Sequence, residues 1–110
     1  MRSGRRLFAF IAIIVGAGLV PAHADTIQVV IDKLVFSPIE INAKVGDTIE
    51  WVNKDILEDI LAHTASVRGD WDVMIAANKS AAIVLRNAGT VEYFCRFHPN
   101  MKGRIIVAPK

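Results

Sequence analysis

Beyond residue 25, apolar residues fall on every second position in short runs, and turn signals cut the runs apart. Ile27, Val29 and Ile31 alternate with Gln28, Val30 and Asp32. Such a period of two marks a strand with one buried face, whereas a helix would repeat nearer every third or fourth residue. Leu34-Val35-Phe36 follows, with Ser37-Pro38 as a break, and Ile39–Ala43 alternates again. Lys44-Val45-Gly46-Asp47 reads as a turn, then Thr48–Asn53 as a strand rich in β-formers. His63–Val67 is short and strand-like, Arg68-Gly69-Asp70 is a turn, and Trp71–Ala76 is mixed. Ser80–Arg86 puts Ala81, Ile83 and Leu85 on one face, and Thr90–Cys95 does the same with Val91, Tyr93 and Cys95. Gly103 precedes a last strand over Arg104–Ala108. The exception is "DILEDILA", where Ile56, Leu57, Ile60 and Leu61 would share a face of one short helical turn near 55–61, with Asp55 as a cap. About seven or eight short strands and no long helix predict an all-β chain, an antiparallel β-sandwich or a small barrel.

The first 24 residues stand apart. Arg2, Arg5 and Arg6 precede an apolar run over Leu7–Val20, and Ala22-His23-Ala24 is an A-x-A motif before Asp25. This is the layout of a secretory signal peptide, and the run is shorter than the ~20 residues a bilayer demands. The expected organisation is a signal peptide over 1–24, cleaved after Ala24, and one domain over 25–110 with no membrane span. Three of the 13 Lys+Arg and none of the 11 Asp+Glu fall in the signal, which leaves 10 against 11. A balance of −1 with no basic block gives no phosphate-binding surface, so nucleic acid is not a partner.

Export makes the cysteine usage informative. Small exported domains often add disulfides, yet Cys95 is the only cysteine. A single thiol in that setting is a reactive group, an intermolecular crosslink, a metal ligand or an inert core residue. Its surroundings favour the metal. "YFCRFHPNM" places His98 and Met101 just after it. Pro99 keeps His98 out of helical geometry, so the three residues belong to a tight loop rather than a helix face. Thiolate, imidazole and thioether are ligand types of copper that cycles between Cu(I) and Cu(II). A trigonal His₂Cys site needs a second histidine, and beyond the signal only His63 remains. The expected set is His63, Cys95 and His98, with Met101 as a weak axial ligand. Met74 is expected to be packing. Trp51, Trp71, Tyr93 and Phe94 are expected in the core, with Phe97, Pro99 and the Asp-Ile-Leu repeat on an exposed apolar rim.

"YFCRFHPNMKGRIIV" resembles the copper loop of the cupredoxins, the small blue-copper proteins, with the short C-x-x-H-P-x-M spacing of amicyanin-type members. "VGDTIEWVNKD" followed by "HTA" resembles the segment that supplies the first histidine. The resemblance implies a Greek-key β-sandwich, one mononuclear type-1 copper ion and one-electron transfer, with His98 as the exit for the electron. Two departures stand out. Ten steps separate Asn53 from His63, where similar sequences need only a few. Thr64 occupies a position where amicyanin-like proteins have Asn; its backbone N–H can still reach the cysteine sulfur, but the side-chain link between loops is in question.

The expected function is therefore a periplasmic, monomeric electron carrier and not an enzyme. Its partners would be transient redox proteins, a cytochrome c-like protein or a dehydrogenase or oxidase. A copper-binding or delivery protein of the same fold is the alternative. A Cys95 nucleophile with a histidine base lacks an evident orienting group.

Overall fold

The computed structural model describes residues 23–56 and 62–110. Nine strands are present among them: β1 (Thr26–Asp32), β2 (Val35–Ser37), β3 (Glu40–Lys44), β4 (Thr48–Asn53), β5 (His63–Ser66), β6 (Asp72–Ile75), β7 (Ser80–Val84), β8 (Gly89–Cys95) and β9 (His98–Ala108). They form two sheets, ordered β2-β1-β4-β7 and β3-β9-β8-β5-β6. The chain crosses between sheets after β2, β3, β4, β6 and β7, so the two faces are stitched into one sandwich.

The alternation read from sequence is the alternation of burial. Val29 and Ile31 of β1 are buried, as are Ile49 and Trp51 of β4, and Tyr93 and Cys95 of β8. Ile105 and Val107 of β9 complete the same layer. At its centre the ring of Tyr93 meets Phe36 edge-on at 4.7 Å and Trp51 at 5.5 Å. Trp71 and Phe94, expected in the core, are only half-buried. Met74, expected to pack, projects outward with 51% of its surface exposed.

Three expectations are revised. The sheets are not purely antiparallel: β1 runs parallel to β4, and β3 parallel to β9. These pairings join strands far apart in sequence, which a local pattern cannot disclose. The strand count exceeds seven or eight, because Val35–Ser37 forms a strand of its own against β1 and Trp71–Ala76 yields β6. The last strand begins at His98, not Arg104. Gly103 therefore lies inside β9, opposite Tyr93, rather than in a turn before it. The helical turn expected near 55–61 falls largely on residues outside those described.

Ends of strands place the functional pole. Asn53 closes β4, His63 opens β5, Cys95 closes β8 and His98 opens β9. The β1–β2 turn, with Lys33 and Leu34 both at positive φ, lies beside the end of β4, where Lys54 N–H bonds Ile31 C=O at 2.8 Å. Among the described residues no helix is long and apolar enough to cross a membrane.

Candidate metal centre

Cys95 and His98 are paired across the β8–β9 hairpin, with Arg96 and Phe97 as its turn. The register then slips: Phe94 faces Lys102, although Cys95 faces His98. Pro99, Asn100 and Met101 make up the difference on one strand, a bulge that re-aims side chains at a sheet end. Proline suits this place, since it lacks the N–H that a regular ladder would demand. Phe97 and Pro99 are exposed, and Phe97 lies 5.4 Å from the Arg96 guanidinium. Ile56 is also exposed, so these three of the residues expected in the rim do face solvent. Leu57, Ile60 and Leu61 of that rim lie outside the described residues.

His63, Cys95 and His98 bring one donor atom each to within 4.8 Å of one another. Cys95 Sγ is 3.5 Å from His63 Nδ1 and 3.8 Å from His98 Nδ1. The two imidazoles sit 5.4 Å apart between ring centroids. His63 and Cys95 have no exposed surface, while His98 is partly exposed. One thiol sulfur and two imidazole nitrogens converging on a space the size of an ion fit copper, by both geometry and ligand softness. Met101 is buried on β9, three residues beyond His98.

The surrounding hydrogen bonds hold these donors. Thr64 N–H points at Cys95 Sγ, 3.4 Å away. The Thr64 hydroxyl accepts the N–H of Arg96 at 2.8 Å, tying β5 to the turn that follows the cysteine. The side-chain link between loops is thus present, made by threonine instead of asparagine. Ser66 Oγ extends it, lying 3.0 Å from Thr64 Oγ1 and donating to Asp72. Arg96 Nε closes the circuit on the same carboxylate at 2.9 Å. The Arg96 guanidinium, with the Ser66 hydroxyl, holds the Asp72 carboxyl below the usual carboxylate range.

A further participant escaped the sequence reading. The sequence pattern makes Asp55 a helix cap, but its buried carboxylate lies 3.0 Å from His63 Nε2. Nothing local marks it, because the contact spans the β4–β5 connection and is made only once His63 is docked.

The sandwich and its buried thiol–imidazole cluster define a small copper protein of the blue-copper class. A model of the cupredoxin-like domain matches residues 6–107. Amicyanin of Paracoccus versutus is 33% identical over 96 residues, covering 84% of this chain and 71% of that protein. Amicyanin of Paracoccus denitrificans is 31% identical over 84 residues, covering 74% of this chain and 64% of the relative. The crystal structure of the Paracoccus versutus amicyanin superposes with a TM-score of 0.62 at 33% identity, over 84% of this chain and 89% of that one. The chain belongs to the cupredoxin-like family, and within it is similar to the amicyanins.

Proposed function

We propose that this protein carries single electrons between redox partners in the periplasm, through one copper ion that His63, Cys95 and His98 would hold, with the Met101 thioether as a fourth ligand. The observation that carries this reading is the convergence of the three donor atoms within 4.8 Å. When bound, copper supplies the Cu(II)/Cu(I) couple. The chain's part is to keep the donors still: His63 and Cys95 are buried at strand ends, and Thr64 N–H steadies the sulfur. Fixed donors limit rearrangement between the two oxidation states. His98, partly exposed, is the route by which an electron leaves, and the apolar Phe97 and Ile56 nearby suit brief docking of a redox protein.

Export and cleavage after Ala24 belong to the same proposal. Asp25 is fastened by both backbone groups, its N–H to Asp47 Oδ1 at 2.9 Å and its C=O to Thr48 N–H at 2.9 Å. The docked chain thus extends to the residue that such cleavage would leave first. The relatives named amicyanin support the carrier role, while the donor and acceptor are left to experiment.

Titration of the processed protein with Cu(II) tests the reading. One equivalent should give intense absorption near ~600 nm, the thiolate-to-copper band of a trigonal His₂Cys site, and a reversible potential. Tight Cu(I) binding with no blue colour would replace the carrier by the delivery reading.

A further inference from the structure

We propose that removal of the leader adds a contact to the fold: the α-ammonium freed at Asp25 forms an ion pair with the buried carboxylate of Asp47, at the pole opposite the copper site. This rests on the cleavage after Ala24 proposed above. Asp47 lies in the turn between β3 and β4, with 2% of its surface exposed. It precedes the first residue of β4, whereas Asn53, at the copper end, is the last. Asp47 Oδ1 accepts the backbone N–H of Asp25 at 2.9 Å, and Oδ2 accepts that of Lys44 at 3.0 Å.

While the leader is attached, the Asp25 nitrogen is a neutral amide with one hydrogen to give. Hydrolysis of the Ala24–Asp25 bond by a leader-removing peptidase consumes one water. It leaves a carboxylate on Ala24 and an ammonium on Asp25. The nitrogen keeps its place, because Asp25 C=O is held by Thr48 N–H at 2.9 Å and Thr26 is already paired with Thr48 in the β1–β4 ladder. A neutral hydrogen bond thus becomes a charge-assisted one with no movement of the chain, and such bonds are roughly twice as strong.

The carboxylate is set to receive a second cation. A buried charge is costly unless it is paired. The Lys44 ammonium, 3.3 Å from Oδ1, is a partner with one side in solvent. Lys44 Nζ also lies 3.8 Å from Asp25 Oδ2, so it is shared between two acids. The side chains of Asp25, Asp47 and Lys44 sum to −1, which the new ammonium neutralises. Lys110 reaches the same turn, its Cε 4.0 Å from where a Cβ on Gly46 would lie, and His23, 3.1 Å from Asp25 Oδ1, departs with the leader. Asp47 is also a junction. Its C=O accepts Leu85 N–H at 2.8 Å, and Gly46 N–H donates to Leu85 C=O at 2.8 Å, so the ion pair fastens β1 to the β3–β4 turn and to the residue after β7.

An amine held as ammonium titrates above the ordinary α-amino range of about 7.7–8.0. With the folded value raised, the contribution is fully present below that range and is lost as pH rises through the folded value. Two chains test this: one starting at Asp25, and one with Gly-Ser in front, which keeps the Asp25 N–H but moves the charge outward. At about pH 6 the first should melt higher by roughly 2–8 °C, and the gap should close by about pH 10. It should vanish between the Asp47→Asn versions of the two chains. Equal Tm at the lower pH, or a gap that ignores pH, would overturn the proposal. Should Asp47→Asn not fold, an NMR titration of the wild-type α-amine decides, and a value within or below the ordinary range refutes the pair. Intact mass of the exported protein reads the cleavage separately. A first residue other than Asp25 would remove the cleavage reading, and with it the proposal for the natural protein, whereas the melting gap judges the ion pair alone.

Discussion

Thr64→Val removes one oxygen from the frame around the sulfur and leaves the shape of the side chain nearly intact. Arg96 N–H then loses its acceptor, now 2.8 Å away, and Ser66 Oγ loses its neighbour at 3.0 Å. A buried donor left without a partner costs about 1–3 kcal/mol. Arg96 is exposed on its other side, so water offsets part of that loss, and about 1–2 kcal/mol is expected. For a domain of this size each kcal/mol lowers Tm by roughly 4–8 °C, so the drop should be roughly 4–16 °C. Thr64→Ser is the control, because it keeps the hydroxyl and gives up one buried methyl, about 0.8 kcal/mol. Thermal unfolding by circular dichroism gives the stabilities, and hydrogen exchange at the Arg96 amide reports the bond itself. Exchange should accelerate in Thr64→Val and stay slow in Thr64→Ser. Identical protection of that amide in wild type and Thr64→Val would refute the link between β5 and the cysteine turn.

Gly103→Ala should be destabilising by about 1–3 kcal/mol, by overpacking. An added Cβ would lie 2.7 Å from Tyr93 Cε1, and Phe36 and Trp51 block the ring from moving aside; a melting curve that overlays the wild type would contradict this. Acid should weaken the fold through Asp47, whose carboxyl is held below its ordinary value chiefly by the N–H groups of Asp25 and Lys44. With the folded value depressed, the contribution is present above the unfolded value of about 3.9 and is lost as pH falls through the folded one. Asp47→Asn should flatten the stability profile below about pH 4, as followed by denaturant titrations across that window.

Much was legible in the chain itself. Alternation over Thr26–Asp32, Thr48–Asn53 and Gly89–Cys95 fixed which side chains face inward, because a pleated strand admits no other assignment once one face is buried. The proposed metal donors come from a chemical reason: one thiol and two histidines beyond residue 24 leave little choice of partners for a soft-metal site. Tertiary structure alone decided the rest. Parallel pairing of β1 with β4 and of β3 with β9 joins segments whose sequences carry no mark of each other. Gly103 looked like a turn residue until the Tyr93 ring was laid across it. Asp55 looked like a cap, since sequence exposes only its neighbours, and its contact with His63 exists only where two strand ends and a hairpin turn meet at one pole. Periodicity and residue chemistry are local properties and survive in the sequence; which distant groups come into contact is fixed only when the sheets pack.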